Sequence, residues 1–199
     1  MIKTPEEFKR ENIKQLFGKI LSSQKVKLEP LKVSVDETWK SDFTTVDLEI
    51  QLTKGEVSET VKIKESQAKG FVDGMFKACH QAFAEKCPSL CNLKLVNYEL
   101  TPSFKKSKNT IGSDASVEVS ITMEVKDHGV AEFSSTSRSI LHSSVAVTLE
   151  AFQFYMNCES TFRKIKLILE DANQRNRGDI AQSCIADLST LTQVNTYES

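Results

Sequence analysis

The sequence predicts an α+β fold: an N-terminal helix, then two pseudo-symmetric units of three strands and a helix, with two extra helices at the C-terminus. Three observations predict it. Apolar residues alternate at every second position through "LKVSV", "VDLEIQL" and "ASVEVSITMEV", the pattern of half-buried strands. "KGFVDGMFKACHQAF" (Lys69 to Phe83) and "RSILHSSVAVTLEAF" (Arg138 to Phe152) share one helical rhythm and end on the same Ala-Phe pair. Each of these helices follows three strands, so the order of elements is written twice.

The first element is "TPEEFKRENIKQLFGKIL", expected as a helix over 5–22. Thr4 is placed as its N-cap, Pro5 at the first helical position and Glu7 three residues after the cap, completing a capping box. Phe8, Ile13, Leu16, Phe17, Ile20 and Leu21 follow helical spacing, which makes the helix amphipathic. Strands come next: "LKVSV" (Leu31 to Val35), "VDLEIQL" (Val46 to Leu52) and "EVSETVKIK" (Glu56 to Lys64), the last two joined by a tight turn at Lys54-Gly55. The first repeated helix then carries Val72, Met75, Phe76, Cys79, Ala82 and Phe83 on one side.

In the second unit the strands are "LKLVNYEL" (Leu93 to Leu100), "ASVEVSITMEV" (Ala115 to Val125) and "VAEFSS" after the turn Asp127-His128-Gly129. A helix from about Ile140 turns Leu141, Val145, Thr148, Leu149 and Phe152 inward. In register, Val72 matches Leu141, Phe76 matches Val145, Cys79 matches Thr148 and Phe83 matches Phe152. A repeat this long and this few in number is a duplicated module rather than a solenoid. The organisation is therefore one domain over 1–157, with repeat one at 28–85 and repeat two at 92–157, followed by a helical extension over 158–199. In that extension "FRKIKLILEDA" and "DIAQSCIADLSTL" read as short helices separated by "NQRNRG", and the final residues are expected to fray. "SFKKSKNTIGSD" (Ser103 to Asp114) reads as a polar loop.

Composition narrows the function. Of 199 residues, 39% are apolar and 27% charged, with a formal charge of -1, so no electrostatic lean points to nucleic acid or an anionic membrane. The N-terminus is charged from its third residue and lacks the apolar core of a signal peptide, and no run reaches the length of a membrane span. The expected location is cytoplasmic. Five cysteines, Cys79, Cys87, Cys91, Cys158 and Cys184, form an irregular set expected to stay reduced.

At "AKGFVDG" (Ala68 to Gly74) the chain resembles the C-terminal regulatory, or dimerisation, domain of isopropylmalate synthase and its citramalate synthase relatives, whose first helix opens on a G-x-G-P-V-D-A type motif. "SRSILHSS" (Ser137 to Ser144) is similar to the family's S-T-D-I-V-E-A-S type motif at the second helix, and "LKLVNYEL" to its tyrosine-bearing strand. The resemblance covers about Glu6 to Asn157. It departs at three positions: Ala68 stands for the first glycine, Phe71 for the proline and Gly74 for the alanine.

The resemblance implies a non-catalytic allosteric and dimerisation domain. Such a domain forms a homodimer and binds leucine or isoleucine for feedback inhibition of an acetyl-CoA-dependent synthase that condenses 2-oxoacids, an acyltransferase of branched-chain amino-acid biosynthesis. The catalytic synthase domain would lie in the same or another chain. Carried over by position, the effector-binding residues are Gly70, Phe71, Val72, Asp73, Gly74, Leu95, Tyr98, Ala115 and Val117. Physical chemistry supports the start of the first repeated helix: a glycine there lets a ligand approach the backbone, and the free N–H groups of the first turn favour a carboxylate. Each residue also has a plain structural reading. Asp73 is a favourable first-turn acid, Val72, Leu95 and Val117 are core residues, and a buried Tyr98 needs a partner for its hydroxyl. A dimerisation or scaffold module that has lost its ligand is the alternative, with Phe71 filling the space that proline leaves open.

Catalytic chemistry finds little support. A catalytic barrel needs around 250 residues, and the His-x-His signature of the family's metal site is not matched by His80, His128 and His142. His142, Ser143 and Ser144 sit at a helix start where capping explains the serines. Cys87 and Cys91 have no second ligand pair of matching spacing, so no metal is expected. The lysines at 105, 106 and 108 lack interleaved aromatics, and no glycine run cradles a phosphate. No cofactor is implied.

Overall fold

A computed structural model describes residues 5–103 and 116–197, so Thr4 and almost all of the polar stretch 103–114 lie outside the described residues. The first helix, α1, spans Pro5–Ile20. Ile13 and Phe17 are buried on its inner side, whereas Phe8, expected there too, is exposed. Three strands follow, β1 (Val26–Glu37), β2 (Thr44–Lys54) and β3 (Val57–Ala68), then helix α2 (Phe71–Phe83). The same order recurs as β4 (Leu93–Ser103), β5 (Ser116–Val125), β6 (Gly129–Ser137) and α3 (Ile140–Gln174).

Among the described residues the strands form two antiparallel sheets, β1-β2-β3 and β4-β5-β6, each with its middle strand in sequence also in the middle in space. The duplication extends to register. On β2, Val46, Leu48 and Ile50 point inward, and on β5 Val117, Val119 and Ile121 do the same. Leu48 pairs with Val33 and Ile63, and Ile121 with Tyr98 and Phe133. Alternate residues face solvent, as a one-sided sheet requires. Helix α2 packs on β2 and β3, and α3 packs on β5, β6 and β1. The two helices meet through Phe76 and Phe152, ring centroids 5.5 Å apart.

Sheet edges facing other elements are satisfied. At β1, Val26 N–H donates to Asn157 Oδ1 at 2.8 Å, Asn157 Nδ2 donates to Val26 O at 2.9 Å, and Leu28 N–H donates to Gln153 Oε1 at 2.8 Å. Two side-chain amides of α3 thus take the place of a neighbouring strand. At β6, Arg10 of α1 donates to Glu132 O and holds its guanidinium 4.7 Å from the centre of the Phe133 ring.

The C-terminal region corrects two expectations. "FRKIKLILEDA" is helical, but it is not a separate element. It continues α3, which runs unbroken for 35 residues through the expected boundary at 157/158. No glycine or proline interrupts it, and buried Met156, Glu159, Ile165 and Ala172 prolong the inward stripe. A second helix, α4, spans Gly178–Leu191 as expected. As far as Tyr197, the last described residue, the tail does not fray: Asn195 is 0% exposed and Tyr197 8%. Tyr197 stacks on Phe162 at 4.5 Å, and Asn195 Nδ2 donates to Ser89 O at 3.2 Å. Beneath this tail Glu159 is buried, accepting Ser89 N–H at 3.1 Å and Ser89 Oγ–H at 2.6 Å and pairing with Arg163.

Candidate functional site

Gly70 takes φ 124°, ψ 166° as it leads into α2, a conformation essentially closed to residues with a side chain. No side chain caps the helix there, so its first-turn N–H groups keep the partial positive charge of an open helix start. Asp73 accepts Lys69 N–H at 2.9 Å and pairs with Lys77 at 2.8 Å. Partial burial works against its charge, but the Lys77 ammonium and the Lys69 N–H overcome that and hold the carboxyl below its ordinary value of 3.8. Gly74 is a packing residue. A Cβ built on it would stand 2.5 Å from Val46 Cγ2 and 3.0 Å from Ala68 Cβ, so the helix approaches β2 closely only because nothing is there.

A cavity of about 420 Å³ opens at this helix start, lined by Lys69 and Gly70 and by the β1–β2 loop with Trp39 and Phe43. Trp39 is fully exposed and Phe43 half-exposed. The sequence reading passed over this loop. Its signal was the chain's single tryptophan, with Phe43 four residues on, in an otherwise polar stretch between two strands.

The start of α3 is built differently. Ser139 is the N-cap, its hydroxyl accepting His142 N–H at 3.3 Å. Ser143 Oγ donates to Ser137 Oγ at 2.8 Å, sharing its one proton with Val117 O at 3.4 Å, and Ser144 Oγ lies 2.8 Å from the Tyr98 hydroxyl. Both serine hydroxyls at 143 and 144 therefore serve local structure, and His142 is exposed.

The expected effector residues fall into two groups, one at each helix start. Gly70, Phe71, Val72, Asp73 and Gly74 belong to α2 above sheet β1-β2-β3. Leu95, Tyr98 and Val117 belong to sheet β4-β5-β6, with Tyr98 and Val117 hydrogen-bonded to the first turn of α3, and none of these three lines the Trp39 cavity. Ala115 lies outside the described residues. Phe71 and Leu95 are half-buried against the core and Val117 is buried.

Four of the five cysteines are buried and Cys91 is exposed. Burial pushes the Cys79 thiol up to about 12 and, with the Glu159 charge, Cys87 up to about 11. No cluster of three or more His, Cys, Asp or Glu side chains suited to a metal occurs among the described residues. No helix among them is long and apolar enough to cross a membrane.

No curated protein matches the chain at a significant level. Residues 7–156 match the model of the LeuA allosteric (dimerisation) domain, a segment that begins within α1, includes both strand-and-helix units and ends inside α3. The chain thus belongs to the LeuA allosteric (dimerisation) domain family.

Proposed function

We propose that this chain is a regulatory homodimer that binds a branched-chain amino acid, leucine or isoleucine, and feeds back on an acetyl-CoA-dependent synthase condensing 2-oxoacids. The carrying observation is the uncapped, glycine-led start of α2 beside the Trp39 cavity, in a chain of an allosteric domain family. The effector carboxylate meets the first-turn N–H groups and its aliphatic side chain packs on Trp39 and Phe43. A cavity of this size suits one amino acid. Micromolar to millimolar affinity, about -4 to -8 kcal/mol, suffices for feedback, and a coupling of ~1–3 kcal/mol transmits it. Isothermal titration with leucine, isoleucine and valine, alongside sedimentation equilibrium, tests both parts. Heat from leucine or isoleucine and a dimer mass are expected; silence from all three amino acids at millimolar ligand removes the sensing role, and a monomer mass removes the dimer.

One observation favours the alternative, a dimerisation or scaffold module without a ligand. Phe71 already packs against the core and Asp73 already has two partners at the helix start. A Phe71→Pro variant that gains amino-acid binding, where the unmodified chain shows none, would support that reading.

A further inference from the structure

We propose that a second cavity, at the start of α1, binds a short aliphatic carboxylate through the hydroxyl of Tyr155. This cavity has a volume of about 220 Å³ and is walled by the first turns of α1, the β5–β6 turn, α3 and the segment after α4. Tyr155 is 1% exposed, with Phe154 and Phe133 edge-on to its ring at 5.2 and 6.2 Å. Its ring is fixed by packing. Its hydroxyl nevertheless makes no hydrogen bond among the described residues, whereas those of Tyr98 and Tyr197 are both partnered. Tyr155 lines the cavity, and because no fully enclosed side-chain oxygen among the described residues lacks a partner, its unpaired hydroxyl is not completely sealed off. A phenol this deeply buried and left unpaired is unusual in a folded protein. Burial raises its pKa, so it stays protonated and able to donate.

The charge around it selects the ligand. Lys9 and Arg10 line the cavity against one carboxylate, Glu6. Arg10 is held in place by Glu132 O and the Phe133 ring, and the His128 ring is held by Thr196 Oγ1, 2.8 Å from its Nε2. A fixed positive balance with a neutral donor at the base suits an oxyanion. The remaining wall is apolar, from Ala131, Phe154 and Val194, and the volume exceeds what a lone inorganic anion fills, which favours a carboxylate carrying an aliphatic body. Val194 lies beyond the family-matched segment 7–156, so the site does not depend on the reading of the α2 start.

The full 199-residue chain, titrated with 3-methylbutanoate and separately with inorganic phosphate while amide resonances are followed, tests the proposal. Saturable shifts at Gly129, Ala131 and Val194 are expected with 3-methylbutanoate. Tyr155→Phe, which keeps the ring, should weaken binding about tenfold and leave the melting temperature of the unliganded protein unchanged, because no hydrogen bond is lost. Lys9→Glu, on an exposed side chain, should weaken binding by a similar factor. Saturation by phosphate alone, no saturable shift at those amides, undiminished binding in both variants, or a lowered melting temperature in Tyr155→Phe would each overturn it.

Discussion

The hydroxyls of Tyr98 and Ser144 stand 2.8 Å apart, tying the edge strand β4 to the first turn of α3. Ser144 Oγ also donates to Ile140 O at 2.7 Å, which leaves its oxygen free to accept from the phenol. Tyr98→Phe and Ser144→Ala should each cost about 1 kcal/mol. The double variant should cost clearly less than the two together, because both remove the same bond. Urea denaturation of the four proteins checks this, and strict additivity would mean the pair contributes nothing.

Gly74 and Val46 are complementary in shape. Gly74→Ala forces a methyl to within 2.5 Å of Val46 Cγ2 and should destabilise by about 1–3 kcal/mol, more than the ~1 kcal/mol that alanine gains over glycine in a helix. Removing the opposing branch with Val46→Ala should reduce the cost of Gly74→Ala, and denaturant midpoints of the single and double variants read it directly.

Asp73 sets a pH dependence. Its folded pKa lies below 3.8, so the native state binds fewer protons than the unfolded chain in that range. The resulting stability is present above the unfolded value and is lost as pH falls through the folded one. Asp73→Asn, which can still accept the Lys69 N–H, should lower stability at pH 7 by under about 1 kcal/mol, since the Lys77 pair is partly exposed. The gap between the two proteins should close below about pH 3.8, as followed by thermal melts across pH.

Tyr197 closes the module from the far end of the chain. Tyr197→Ala removes the stack on Phe162 and should cost about 3 kcal/mol. It also uncovers Cys158, whose thiol burial now holds above its ordinary pKa. Thiol labelling of the native protein should modify Cys91 rapidly and Cys158 slowly, and the variant should release Cys158 at a denaturant concentration where the parent protects it.

Local pattern carried much of the fold. Alternation marked the strands because each sheet buries one face, and Gly70 stood out because a glycine heading a helical rhythm has few other reasons to be there. The length of α3 was hidden by the repeat itself. Matching the second unit to the first suggested an end near Asn157, where only the absence of a breaker argued otherwise. The tail "TQVNTYES" reads as polar and terminal, and the burial of Asn195 and Tyr197 within it depends on Ser89, Phe162 and Cys158, residues distant in sequence. Trp39 and Phe43 reach the start of α2 only through the path of the β1–β2 loop, and Tyr155 reads as one more core aromatic on a helix face. Such sites are made by tertiary placement, which spacing along one chain does not encode.

Helix α3, at 35 residues, is about 50 Å long. One end carries the serine-rich turn that Tyr98 holds, and the other passes beyond the duplicated module to the connection with α4. Between those ends the same rod is fastened to β1 through Gln153 and Asn157, to Ser89 through Glu159 and to the chain's tail through Phe162, so one continuous helix is the common spine to which both sheets and the tail are attached.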